Sequence, residues 1–390
     1  MMTGASLALL LLFDSGAPVA PQAAPAHGER HAQGVVAFDL TVEPQGGALD
    51  LLTAVAVPGG FELRHRRSRD GGATWSAEHR LPVAPGDLHS PHRGSDPQIA
   101  GFGDRLLAVW TRPGTSSWGS GPLGTAISED GGATWSAGPN PADDGSTDGH
   151  AYIDAAADAK GALHLVWLDN RDGGQGLRAA ASSDGGHTWS ANRTLDARTC
   201  ECCWNRVAAP KPGEAIVLYR DKEPRDMASA ATADGGKAWT PGRAAGAFNW
   251  SFEGCPHVGG GLAVDGSAAH ALVWSGSEAQ RGLHALESRD GGRSWAETSR
   301  VGKPSAHRPD LAASGSKLAA VWDDPGDANR AVYAATSIDG GRSWSGARRL
   351  SDPAASASHP VVVALGGGQF RVAWTEAVGD GPLAWRSAAF

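Results

Sequence analysis

Two short stretches hold all four cysteines of this chain: Thr199-Cys200-Glu201-Cys202-Cys203-Trp204 and Gly254-Cys255-Pro256-His257. Thiolates grouped with imidazole suit a soft metal, so Cys200, Cys202, Cys203 and Cys255 with His257 or His307 form a candidate copper or zinc site. Disulfides are the competing chemistry in an exported chain. Four cysteines allow three pairings, the simplest of them a bridge from Cys202 or Cys203 to Cys255. The spacing is not that of a zinc finger. A single bridge between two segments would also leave two cysteines unexplained.

A second set of residues pairs guanidinium with carboxylate: Asp169-Asn170-Arg171-Asp172, Arg220-Asp221, Arg225-Asp226 and His307-Arg308-Pro309-Asp310. Such pairs are either salt-bridged loops or an anion pocket. In the second case Arg171, Arg220, Arg225 and Arg308 bind, helped by Asp226, Asp310 and Trp204, and Asp169 or Asp221 acts as acid or base. Of the three tyrosines, Tyr152 enters a strand beside Asp154 and is the one placed to act as a nucleophile.

These residues need a scaffold that gathers distant segments, and the sequence carries one. Ser68-Arg69-Asp70-Gly71-Gly72-Ala73-Thr74-Trp75 recurs as Ser/Thr-x-Asp-Gly-Gly-x-x-Trp at Ser128, Ser182, Thr232, Ser288 and Ser337, with steps of 60, 54, 50, 56 and 49 residues between the aspartates. Repetition at that period means a stack of supersecondary units. The motif is a hairpin turn. Its Asp accepts backbone N–H groups, the glycine pair supplies positive φ, and the Trp covers the sheet.

Before each turn lies an aliphatic run of the kind that central, two-side-buried strands show. Seven such runs occur: Leu51–Val57, Leu106–Trp110, Leu163–Trp167, Ala215–Tyr219, Ala271–Trp274, Leu318–Trp322 and Phe370–Trp374. The last unit, His359–Phe390, has no Asp-Gly-Gly turn. The expected fold is an all-β propeller with seven four-stranded blades, six being the alternative count. Val35–Val42 forms either the inner strand of the first blade or the outer strand that closes the last.

In such a blade the Asp-Gly-Gly turns join the third and fourth strands. The second-to-third loops and the blade-to-blade segments then emerge on the opposite face. Those segments contain every cysteine and His89, His92, His150, His257, His307 and His359, together with Arg93, Asp96, Asp154 and Arg206. A ligand site at that mouth of the channel is the expectation. The basic run Arg64–Arg69 lies on a third strand and reads as a solvated blade edge.

A net charge of −8, with 19% charged residues, argues against nucleic acid and anionic membranes as partners. Residues 1–26, with an apolar run at Leu7–Phe13 and small residues at Ala24-Pro25-Ala26, read as a secretory leader. A linker over 27–34 and one propeller domain over 35–390 follow. A secreted or periplasmic monomer is expected. No later run is long enough to span a membrane.

The repeated turn is the Asp-box, and the chain resembles the sialidase-like Asp-box (BNR repeat) propeller superfamily. Its Cys-x-Cys-Cys and Gly-Cys-Pro motifs resemble a subgroup of bacterial exported proteins. The superfamily resemblance implies an exo-glycoside hydrolase acting on glycans, with three arginines on the substrate carboxylate, a Glu-activated tyrosine and an aspartate acid/base. The family's first arginine sits in Phe/Tyr-Arg-Ile-Pro. Here the first strand reads Val36-Ala37-Phe38-Asp39-Leu40-Thr41, with neither Arg nor Pro. Two functions follow: a sialidase-like hydrolase of glycans or small anionic ligands, or a non-hydrolytic propeller whose Cys/His rim holds copper, zinc or a partner protein.

Overall fold

The computed structural model describes Met1 and residues 34–390, apart from 45–46, 116–118, 267 and 326–328. The expected leader and nearly all of the linker lie outside the described residues.

Among the described residues seven antiparallel sheets follow one another along the chain, six of four strands and a last of three. The count of seven holds and the six-blade alternative does not. Among the described residues the final blade has the strands Ala355–Gly366, Gln369–Val378 and Ala384–Ala389, and Gly34 bridges Leu383 beside them. The remaining inner strands are Val35–Val42, Gln98–Phe102, Ala151–Ala157, Arg206–Ala208, Gly260–Asp265 and His307–Ser314. Helix is confined to two short 3₁₀ turns among the described residues, and none of their helices could cross a membrane.

The aliphatic runs are all second strands, and their periodicity explains the packing. On Leu163–Asp169, Leu165 and Trp167 face the core shared with the preceding blade. Val166 and Leu168 face the core shared with the next one. Both faces are therefore buried, so no polar alternation survives in the sequence. Every seam between neighbouring blades has a core of this kind.

The Asp-boxes form as their chemistry requires. In the first, Asp70 accepts Thr74 N–H at 2.9 Å and Ser68 Oγ at 2.8 Å, while Gly72 N–H donates to Ser68 Oγ at 2.8 Å. Gly71 and Gly72 have φ of 66° and 85°. In two of the boxes the tryptophan hydrogen-bonds to the blade before it. Trp295 Nε1 donates to Ser229 Oγ at 2.8 Å and Trp344 Nε1 to Ser299 Oγ at 3.0 Å.

Val35–Val42 is the inner strand of the first blade, pairing with Leu49–Val57. The ring closes by packing Phe38, Leu40, Leu49 and Leu51 on Val361 and Ala373 of the last blade. Val35 N–H donates to Leu383 O at 2.9 Å and Arg371 Nε to Gly71 O at 2.7 Å across the same seam. The basic run is only half a solvated edge. Arg64 and Arg66 pair with Glu62 and Glu78, but the alternate residues His65 and Arg67 turn inward onto the buried Asp50.

Candidate functional site

The blade-to-blade segments and the second-to-third loops leave the ring on the face opposite the Asp-boxes. Three inner strands break register there around a non-glycine residue at positive φ, between Val166 and Leu168 pairings in blade 3, His307 and Asp310 in blade 6, and Ser358 and Val361 in blade 7. The residues are Tyr152 at 53°, Arg308 at 49° and His359 at 50°. That conformation costs an L-residue roughly 1–2 kcal/mol, and it persists only where surrounding contacts fix it. A bulge re-aims its side chains, here three at equivalent places around one opening.

Just inside the mouth, three inner-strand carboxylates each hold the next blade. Asp39 accepts Ile99 N–H at 2.9 Å, Asp154 accepts Val207 N–H at 2.5 Å, and Asp310 accepts Val362 N–H at 2.9 Å. A single guanidinium, Arg206, stands among them, 3.4 Å from Asp310 and 3.6 Å from Asp154. Burial pushes Asp39 up to about 6 and Asp154 up to about 7 despite the arginine, and raises Asp310 as well. Asp154 therefore titrates near neutrality.

Above them lies a narrow cavity of about 20 Å³, partly open to solvent, lined by Arg93, Asp96, Trp204, Arg206, Arg308 and His359. Arg93 pairs with Asp96 and donates to His359 O at 2.7 Å. Arg308 spans both oxygens of Asp323 at 3.3 Å. Arg93 Nε, Arg308 Nε and Trp204 Nε1 are buried without a hydrogen-bond partner. Unpartnered buried donors of this kind are costly unless a ligand or water meets them.

Beside the cavity lies the cysteine cluster. Cys200, Cys202 and Cys203 are buried and Cys255 is exposed; none is bridged. The sulfurs of Cys200, Cys202 and Cys203 lie within 4.8 Å of one another, as do those of Cys202 and Cys255 with a ring nitrogen of His257. Trp204 follows Cys203 directly and links the cluster to the cavity wall.

Two arginines serve the cluster. Arg225 Nη1 donates to Cys200 Sγ at 3.2 Å. Arg220 is fully buried, and its guanidinium donates to the carbonyls of Val258 at 2.9 Å, Trp274 at 3.0 Å and Arg225. Hydrogen bonds from Cys202 and Cys203, reinforced by the charge of Arg220, pull the Cys200 thiol far down. The bond to Cys200 pushes Cys202 up, and burial does the same to Cys203. Cys200 thus carries the first thiolate of the group.

The expected site residues divide. Cys200, Cys202, Cys203, Cys255 and His257 come together, whereas His307 lies outside both ligand groups, edge-on to Trp274 with ring centres 4.6 Å apart. Arg308, Asp310 and Trp204 reach the central opening. Asp226 accepts N–H groups of Phe248, Asn249 and Trp250 at 2.8–3.2 Å and so shapes the segment leading to Cys255. Asp169 is closed in by Arg171 at 2.7 Å, Arg178 at 2.8 Å and Trp167 Nε1 at 3.0 Å. Asp221 accepts its neighbour Lys222 N–H at 2.6 Å, and burial raises it. Tyr152 packs on the cysteines, where burial first and thiolate charge second hold its phenol well above the usual range. It is therefore a hydrogen-bond donor, not an activated nucleophile. Asp39 was not legible as a site residue; its signal is a lone carboxylate within Val36-Ala37-Phe38-Asp39-Leu40.

Comparison with known proteins agrees on the architecture. The model of the BNR repeat-like domain family matches residues 181–377. Among solved structures, a protein of unknown function from Dyadobacter fermentans is 12% identical, with 92% of this chain and 95% of that one covered and a TM-score of 0.56. A xyloglucanase from Xanthomonas campestris is 15% identical over 91% of this chain and 54% of its own, with a TM-score of 0.52. A leech intramolecular trans-sialidase is 13% identical over 93% and 69%, with a TM-score of 0.50. At such identities the likeness is one of fold. No curated protein matches the chain. Six Asp-boxes on seven blades, and a family match spanning half the sequence, make this chain a member of the BNR repeat-like domain family, a sialidase-like Asp-box propeller.

Proposed function

We propose that the protein is a binding propeller that holds a soft metal, copper or zinc, through the thiolates at its channel mouth and acts after export, in a secreted or periplasmic setting. One observation carries this reading: sulfurs from two segments 52 residues apart, counted from Cys203 to Cys255, gather with His257 within ligand distance. Buried thiolates next to guanidinium groups favour soft metals over hard ones. Protein purified without chelator and analysed for metals and free thiols tests it. Stoichiometric copper or zinc with unoxidised cysteines is expected. Metal-free protein with two disulfides would end this reading.

A second reading is favoured by a different observation, the three guanidinium groups and three unpartnered N–H donors around the central cavity. They suit an anionic glycan. Asp154, protonated near neutrality, supplies an acid for glycoside hydrolysis. Release of sugar from a panel of sialoglycans, abolished in Arg308→Ala, is expected on this reading. Absence of both release and binding across the panel excludes it.

A further inference from the structure

Three features of the cluster constrain which metal it holds and how many ions. The four sulfurs do not converge on one point. They form two three-ligand sets, Cys200/Cys202/Cys203 and Cys202/Cys255/His257, that share Cys202. Zinc in structural sites is almost always tetrahedral with four ligands, so neither set alone completes a structural zinc site. Monovalent copper is, beside zinc, an ion that thiolate ligands select.

Charge narrows the choice further. Arg220 is buried and its hydrogen-bond partners are three carbonyls, with no carboxylate among them. Arg225 is buried against Cys200. A buried cation needs an anion close by, and the nearby carboxylate of Glu201 is shared with Lys222. Arg225 also lies 3.5 Å from Glu201, yet the sulfurs must still supply net negative charge beside these guanidinium groups. Four thiolates around two monovalent ions carry that charge, whereas two divalent ions would cancel the thiolates and leave both arginines unbalanced. A single divalent ion on four thiolates would also balance, but the sulfur positions do not allow it.

Resting on the metal-binding reading above, we infer that the cluster is a dinuclear monovalent-copper site in which the Cys202 thiolate bridges the two ions. Cys200 and Cys203 complete the buried position. Cys255, exposed at the rim, and His257 complete the outer one, through which ions enter and leave.

Anaerobic titration of the full, reduced chain with Cu(I), buffered by a chromogenic Cu(I) chelator, tests this. Wild type should withdraw two equivalents, Cys255→Ser one, and Cys202→Ser should lose the stoichiometric pair. Cys255 is exposed, so its variant keeps the fold, and circular dichroism checks both variants. Saturation of wild type at one equivalent overturns the dinuclear site while leaving the metal-binding reading intact. Two equivalents retained in Cys255→Ser, or two equivalents of zinc bound as firmly as copper, would also overturn it. Failure to bind either metal overturns both.

Discussion

Arg220→Met separates what the buried guanidinium does for the fold from what it does for the cysteines. The substitution keeps an unbranched apolar stem beside Trp250, whose ring lies 5.3 Å from the guanidinium carbon. It removes the donors to the carbonyls of Val258, Trp274 and Arg225. Three buried acceptors left bare cost about 1–3 kcal/mol each, offset by several kcal/mol of desolvation that the buried charge no longer incurs. A net loss of about 2–4 kcal/mol remains, and an unfolding entropy of about 0.8 kcal/mol/K for a chain of this size converts it to a fall of about 3–5 °C in Tm. Calorimetry of the metal-free protein reads that. The charge is read separately, from thiolate absorbance in the ultraviolet against pH. Without Arg220 the first thiol ionises at higher pH, because the nearest cation besides Arg225 is gone. Arg220→Lys should keep the thiolate midpoint while losing most of the same stability, since one ammonium cannot meet three carbonyls in the guanidinium's plane. An unchanged thiolate midpoint in Arg220→Met would refute the pairing of this cation with the sulfurs, whatever the Tm does.

Other consequences are simpler to state. Asp154 is raised from 3.8 to about 7 by burial, so the folded state holds its proton more tightly than the unfolded chain. Its contribution is fully present below pH 4 and is lost as pH rises to about 7, by at most on the order of 4 kcal/mol. Asp154→Asn should therefore flatten the decline of Tm between pH 4 and 7, and parallel curves would count against the assignment. Gly132 and Gly236 occupy the same place in two Asp-boxes, with φ of 86° and 83°. Alanine at either meets the left-handed penalty of about 1–2 kcal/mol. A Cβ at Gly132 would also lie 2.1 Å from the buried His65 ring, whereas at Gly236 the nearest atom is 3.4 Å away. Gly132→Ala should cost about 1–3 kcal/mol more, measurable by denaturant unfolding, and equal losses would contradict the packing. Arg371→Ala, which removes the bond to Gly71 O across the closing seam, should lower Tm more than Arg348→Ala on the exposed edge.

Much of the fold was readable because the Asp-box states its own geometry: an acceptor, two positive-φ residues and a tryptophan at fixed offsets. The aliphatic runs were equally plain, since a strand buried on both faces leaves no ambiguity of register. Legibility ended where side-chain direction decides. His65 and Arg67 share a run with Arg64 and Arg66, and nothing in the letters says which parity points at Asp50. The cysteines were legible as a group because their segments enter neighbouring blades. Arg220 and Asp226 looked like ligand-binding residues for the same reason. Their polar atoms in fact meet backbone groups of the segments that carry the cysteines. The role of Asp39, Asp154 and Asp310 depends on equivalent positions in blades 1, 3 and 6, where the inner strands share no motif. Only the closed ring reveals that each holds its neighbour.

The two halves of the mouth carry opposite excesses of buried charge, and this links them. On one side three inner-strand carboxyls share a single guanidinium, Arg206, and burial relieves the surplus by raising Asp39, Asp154 and Asp310 toward neutrality. On the other, Arg220 and Arg225 lack a dedicated carboxylate, and the sulfurs supply the anion. Tyr152 stands on the strand that carries Asp154 and packs against the cysteines. Burial first, and the charge of the sulfurs second, oppose its ionisation, so its hydroxyl stays a donor. An orthodox tyrosine nucleophile needs the reverse surroundings, a base beside it and cations around it. Burial and the neighbouring sulfurs together thus disable the residue a sialidase would use, and replacing all four cysteines by serine should lower the Tyr152 phenol only in part, because the burial remains.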